Sequence, residues 1–216
     1  MISISTLTIL AASVFLLSLL ANLVRKNTTL LGLYALQSAI SAGALIMLAY
    51  SEGTMGLFWA GVLTLLVKAI MAPAFLSRMI SRYNAHFSAA SHLNTPLSLL
   101  VIATLTAFAY SFVSPSFSAN SSPSISLLLS AIFATLFLMI NRRGVLGQIV
   151  GILALENAVV LLAAFLGLHQ SLALELAIAF DIAVWIAIAT IFLGMMYRQF
   201  GAADADTLTM RHLTEE

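Results

Sequence analysis

Residues 146–167 read LGQIVGILALENAVVLLAAFLG and contain a single ionisable side chain, Glu156. About 20 consecutive apolar residues are enough to cross the roughly 30 Å of hydrocarbon in a bilayer, so this run predicts a transmembrane helix. An ionisable side chain near the centre of such a helix costs roughly 2.5–3.5 kcal/mol on insertion. We therefore expect Glu156 to serve a purpose inside the membrane.

Six more runs resemble this one in length and apolarity. The seven predicted spans lie near residues 2–24, 30–50, 55–77, 96–113, 124–141, 146–167 and 173–197. Of the 216 residues, 62% are hydrophobic and only 8% are charged, whereas soluble domains carry about 25% charged residues. The mean hydropathy is +1.08. The sequence therefore predicts an all-α, polytopic membrane protein with seven transmembrane helices.

The basic residues alternate with the predicted spans. Eight of the nine fall in the first, third and fifth connections and in the C-terminal tail: Arg25, Lys26, Arg78, Arg82, Arg142, Arg143, Arg198 and Arg211. The other connections contain no lysine or arginine. Because basic loops stay in the cytoplasm, this pattern predicts an N-terminus outside and a cytoplasmic C-terminus.

Three ionisable residues lie well inside predicted spans, namely Lys68, Glu156 and Asp181. At a rise of 1.5 Å per residue they lie about 15, 20 and 25 Å from the nearest cytoplasmic arginine along their helices. These depths agree to about 10 Å. Acids and a lysine at one level are what a lateral proton relay through a membrane needs.

These buried charges also fit roles that involve no proton relay. Lys68 can snorkel to the headgroups, and either acid can be a neutral, hydrogen-bonded group that serves assembly alone. Pro73 predicts a kink that frees the carbonyl of Ala69. Glu175 lies near the outer end of the last predicted helix, where a surface acid is ordinary, although it also suits an exit group for protons.

The remaining polar residues give weaker indications. Gln37, Ser38 and Ser41 form a polar stripe on the second span, which favours helix–helix hydrogen bonding over transport. His86 and His92 favour a solvated loop over a pair of metal ligands. The chain has no cysteine, and so no thiolates for an iron–sulfur cluster. We expect no metal, cofactor or catalytic centre in this chain, and a net charge of +1 gives no indication of nucleic-acid binding.

Residues 147–159, GQIVGILALENAV, resemble the central helix of the small three-helix subunit of respiratory complex I, which also occurs in multisubunit cation/proton antiporters. In that family a glutamate follows a short glycine-containing apolar run and precedes an Asn-Ala-like pair, as Glu156 does here. A second acid lies about midway along the next helix. This chain has Asp181 there, one methylene shorter than the usual glutamate. The resemblance covers roughly residues 124–197.

Residues 1–113 add four helices that the small subunit lacks. Over its whole length the chain resembles the hydrogenase-4 component E family, membrane subunits of formate hydrogenlyase-type, energy-converting nickel–iron hydrogenases. The stretch from Lys68 to Pro73 is similar to lysine-plus-proline helices of this family. The resemblance implies a four-helix part at 1–113, a three-helix part at 124–197 and a cytoplasmic tail at 198–216.

The resemblance implies a proton-conducting subunit of a larger oxidoreductase complex in the bacterial inner (cytoplasmic) membrane. Glu156, Asp181 and Lys68 would transfer protons, with Asn157 and Glu175 as accessory groups. Iron–sulfur clusters and the nickel–iron site are expected on hydrophilic partner subunits, with antiporter-like membrane subunits and lipid as further partners. Two alternatives stay open: a subunit of a sodium/proton antiporter, and an assembly scaffold with no transport role.

Overall fold

The computed structural model describes residues 4–82, 91–113 and 122–166, together with Gly194. The helices of this part are α1 (Ile4–Leu23), α2 (Asn27–Glu52), α3 (Met55–Leu63), a π-helix (Thr64–Met71), α4 (Ala72–Arg82), α5 (Thr95–Val113), α6 (Ser122–Asn141) and α7 (Val145–Phe165). The segments α3, π-helix and α4 follow one another without a break and form one span. The described residues form no strand, and their one isolated bridge joins Ser91 to Arg142.

Six spans of the described part are long and apolar enough to cross a membrane. They coincide with the first six predicted spans, which confirms, for the described part, an all-helical fold with six apolar helices of membrane-spanning length. The seventh predicted span, 173–197, lies outside the described residues apart from Gly194. Asp181, Glu175 and the tail at 198–216 lie outside them too. The count of seven and the orientation across the membrane stay predictions.

The alternating direction of the spans brings one set of helix ends to a common face. There α1, α4 and α6 end, and α2, α5 and α7 begin. We call this side the basic face, because five arginines lie at or beside these ends: Arg25, Arg78, Arg82, Arg142 and Arg143.

The second helix lies at the centre of the bundle. It packs against α1, the third span and α7, while α6 packs against α1, α5 and α7. The edge helix α5 packs mainly on α6 and exposes aromatic side chains such as Phe108 and Phe112. The side chains of α2 therefore have neighbours from most of the bundle.

Apolar side chains fill the bundle at two depths. Near the basic face, residues of α2, α4, α6 and α7 pack together, among them Leu30, Leu76 and Leu153. Toward the opposite face, α1, α2, α6 and α7 form further clusters, which include Val14 and Leu161. Between these depths lie buried or half-buried polar side chains, which we call the polar layer: Ser18, Gln37, Ser38, Ser41, Thr64, Lys68, Glu156 and Asn157.

The helices α2 and α3 approach each other closely at Gly61. A Cβ atom there would lie 2.6 Å from Cγ1 of Ile46 and 3.0 Å from the carbonyl oxygen of Ala42. Because backbone would have to move, we expect Gly61→Ala to destabilise the protein by about 1–3 kcal/mol. The measurement is the melting temperature in detergent. Gly43→Ala is the control, since its new Cβ meets no atom within 4 Å; equal melting temperatures for the two variants would contradict the close approach.

A buried arginine holds the basic face together. Nη2 of Arg142 donates hydrogen bonds to the carbonyl oxygens of Ala21, at 3.0 Å, and of Val24, although Arg142 itself follows α6. Cations near a helix C-terminus satisfy its last carbonyls and interact favourably with the helix dipole. Burial, and secondarily the charge of Arg25, lowers the pKa of Arg142 from its ordinary value. The α6–α7 connection is thereby fastened to the end of α1.

Candidate functional site

The third span departs from regular α-helix where it carries Lys68. At the end of the π-helix the N–H of Ala72 donates to the carbonyl of Val67, five residues earlier instead of four. Pro73 follows directly. It has no N–H, and in a regular α-helix its ring would clash with a carbonyl of the preceding turn. Where the sequence predicts a kink that frees the carbonyl of Ala69, the structure shows eight residues of wider turns. π-Helical turns are rare in proteins, and those that occur are frequently found at functional sites.

The ammonium group of Lys68 is paired inside the bundle. Its side chain is 3% exposed, and Nζ lies 2.9 Å from Oε1 of Glu156 on α7. A snorkelling lysine would direct its ammonium to the headgroups. The ion pair is therefore evidence against that alternative, and it joins the third span to α7 within the polar layer.

Glu156 on α7 is partly buried in the bundle and partly exposed at its surface. Its Oε1 is buried beside Lys68, whereas 22% of the whole side chain is exposed. Val159, nearly one turn further along α7, is 46% exposed. The carboxylate thus contacts the polar layer on one side and is partly exposed on the other.

The amides of the polar layer join three helices. Nδ2 of Asn157 donates to Oγ of Ser38 on α2 at 2.7 Å. Nε2 of Gln37 donates to Oγ of Ser18 on α1 at 3.2 Å and to the carbonyl of Ala154 on α7 at 3.5 Å. The predicted helix–helix hydrogen bonding of Gln37 and Ser38 is confirmed.

Some buried polar atoms of the polar layer have no hydrogen-bond partner in the described part of the chain. Oγ of Ser41, Oγ1 of Thr64 and Oδ1 of Asn157 have no hydrogen-bond partner among the described residues. Buried polar groups are nearly always hydrogen-bonded, to protein or to ordered water, and a buried water makes about three hydrogen bonds to such groups. We therefore expect ordered water in the polar layer, close to the ion pair.

The structure brings together two of the three predicted proton-transfer residues. Lys68 and Glu156 form the ion pair, and the accessory Asn157 is the next residue along α7. Asp181 and Glu175 lie outside the described residues.

Tyr34 and Thr64 are two candidate residues that the sequence pattern does not single out. The buried ring of Tyr34 lies near Ser38 and Glu156, and buried Thr64 precedes Lys68 by about one turn. Tyr34 lies four residues before Ser38, and Thr64 lies four residues before Lys68. This spacing is the signal in the sequence that would place both on the polar side of their helices.

No family model and no solved structure matches the chain. The chain is similar to the uncharacterized protein Rv0085 of Mycobacterium tuberculosis, at 27% identity over 188 residues. The match covers 85% of this chain and 86% of that protein. Because so little of either chain is left out, the matched stretch includes both Lys68 and Glu156, and the similarity runs through both halves of the chain.

Proposed function

We propose that the chain is a proton-conducting membrane subunit of an energy-converting nickel–iron hydrogenase complex of the formate hydrogenlyase type, in a bacterial inner membrane. The observation that carries the proposal is the ion pair of Lys68 and Glu156 inside a buried polar layer. The resemblance of residues 147–159 to a proton-conducting subunit supports the same role.

An ion pair at this depth suits proton transfer because its two charges depend on each other. Attraction between charges is much stronger in a low-dielectric interior than in water. Removing one partner of a buried pair leaves the other charge uncompensated, at a cost of about 3–5 kcal/mol. Uptake of a proton by Glu156 would therefore favour release of a proton from Lys68. The pair can pass on a proton without a net charge remaining in the membrane.

A relay also needs groups on both sides of the pair. Toward the interior of the bundle, the unsatisfied oxygens of Thr64 and Asn157 can hold water that carries a proton onward. On the other side of the pair, the side chain of Glu156 is partly exposed. The proposed route runs from a neighbouring group to Glu156 and on to Lys68, with Asp181 as the next acid and Glu175 as an exit group.

Redox chemistry is assigned in this proposal to other subunits. The chain has no cysteine to hold an iron–sulfur cluster, and its described residues form no group of three or more potential metal ligands. The proposed partners are hydrophilic iron–sulfur and nickel–iron subunits, antiporter-like membrane subunits and lipid.

The composition of the complex tests this assignment directly. We would tag the chain, solubilise membranes in mild detergent and identify the proteins that copurify. The expected result is iron–sulfur proteins together with a nickel–iron large subunit. Purification with antiporter subunits alone, or without any partner, would contradict the assignment to a hydrogenase.

One observation favours a sodium/proton antiporter as the second candidate. Asn157 follows Glu156 along α7, and its Oδ1 is buried and has no hydrogen-bond partner in the described part of the chain. Hard cations are bound by carboxylate and amide oxygens of this kind. Transport assayed in vesicles with and without sodium separates the candidates, since only sodium coordination makes the rate depend on sodium.

A further inference from the structure

A second polar region lies at the basic face, away from the polar layer. A cavity of about 240 Å³ opens there between the end of α1, the beginning of α5 and the α6–α7 connection. None of the described residues that line it is acidic. Its polar lining includes Asn22, Arg25, Asn94, Thr95, Ser98 and Arg142.

Two arginines give the cavity its charge. Arg142 is buried, and Nη2 is occupied by the carbonyls at the end of α1. Nε and Nη1 of Arg142 have no hydrogen-bond partner among the described residues. Arg25 is exposed and forms no ion pair in the described part of the chain. An anion in the cavity would compensate both positive charges.

The first turn of α5 adds donors at the cavity wall. The first N–H groups of a helix have no partner within it. In α5, Pro96 has no N–H and the N–H of Ser98 donates to the carbonyl of Asn94. The N–H groups of Thr95 and Leu97 therefore remain, and the N-terminal end of the helix dipole attracts anions. Thr95 begins α5, and its side chain and that of Ser98 line the cavity. Oγ of Ser98 accepts a hydrogen bond from Nδ2 of Asn141 at 3.2 Å, which leaves its hydroxyl hydrogen for another acceptor.

We propose that this cavity binds a phosphate group, either of an anionic lipid headgroup or of free inorganic phosphate. Guanidinium groups match the geometry of phosphate with paired hydrogen bonds. The volume exceeds the roughly 30 Å³ of one water molecule several times and falls below the roughly 300–1,000 Å³ of pockets for larger ligands. The cavity also lies at the ends of the spans, where basic pockets between helices hold headgroups.

The test measures the melting temperature of the delipidated full chain in neutral detergent. Three additions are compared: dioleoylphosphatidylglycerol, dioleoylglycerol with the same acyl chains but no phosphate, and inorganic phosphate. We expect phosphatidylglycerol, and not dioleoylglycerol, to raise the melting temperature. Arg25→Gln should raise the half-saturating concentration about fivefold. This variant is chosen because Arg142 also holds α1 in place.

Arg78→Gln is the matched control. It removes the same charge from an exposed position on the basic face, outside the cavity, and should keep the wild-type response. A response to inorganic phosphate as large as that to phosphatidylglycerol supports the site and identifies free phosphate as its ligand. Equal losses in Arg25→Gln and Arg78→Gln, equal responses to the two lipids, or no response to any addition would overturn the proposal.

Discussion

Glu156→Gln should reduce proton translocation by the assembled complex at least tenfold while hydrogen evolution continues. Glutamine keeps the shape of the side chain, and its amide oxygen can still accept a hydrogen bond from Nζ of Lys68, but it cannot take up a proton. Groups that transfer protons typically contribute about 10²–10⁴ in rate, so we expect at least a tenfold loss of translocation. Both activities would be measured in the same inverted membrane vesicles, proton uptake with a pH-sensitive dye and hydrogen by gas analysis.

Glu52→Gln provides the matched control for this variant. It makes the same chemical change at an exposed position at the far end of α2 and should leave translocation unchanged. Wild-type pumping in Glu156→Gln would refute the relay. Lost assembly combined with intact pumping would favour the scaffold alternative. The same measurements on Asp181→Asn extend the test to the second predicted acid.

Lys68→Met should reduce both stability and transport. Methionine has a similar length but no charge, so the carboxylate of Glu156 would lose its cation in the interior. Breaking a buried ion pair from one side costs about 3–5 kcal/mol, and we expect a clearly lower melting temperature in detergent. The double variant Lys68→Met/Glu156→Gln removes both charges. It should recover most of the lost stability, but transport should stay absent.

The double variant separates a structural role from a transport role. If the charges only hold helices together, the double variant would recover transport along with stability, and the proposed function would be wrong. Arg78→Met serves as the control on the same span, because it removes an exposed cation whose interactions are worth about 1 kcal/mol or less. A melting temperature for Lys68→Met equal to that of Arg78→Met would contradict the buried ion pair.

The spans can be predicted from the sequence because the bilayer restricts the possible structures so severely. Backbone groups in hydrocarbon must be hydrogen-bonded within the chain, so a long apolar run has to be helical. The helix ends are less tightly determined, as α2 illustrates. It extends from Asn27 to Glu52, beyond the predicted 30–50. Gly53 follows as the C-terminal cap, and its positive φ of 67° terminates the helix.

The partners of the charged residues cannot be predicted in the same way. Runs that are apolar on all sides do not indicate how a helix is rotated about its axis, so equal depth alone does not show that Lys68 meets Glu156. Arg142 is a second example. The sequence predicts only that it lies in a cytoplasmic connection between two spans, whereas the structure buries it under the end of α1. Both contacts join residues far apart in the chain and depend on packing.

The wider turns of the third span explain why every fourth side chain is buried there, a pattern that a regular α-helix would not keep on one face. Every fourth residue over this stretch is at most 3% exposed: Ala60, Thr64, Lys68, Ala72, Leu76 and Ile80. An α-helix turns about 100° per residue, so each step of four would overshoot a full turn by about 40°, and five steps would carry the stripe about 200° around the axis. A π-helix turns less per residue and absorbs part of this drift. It thereby keeps Lys68 in phase with the apolar residues on either side of it.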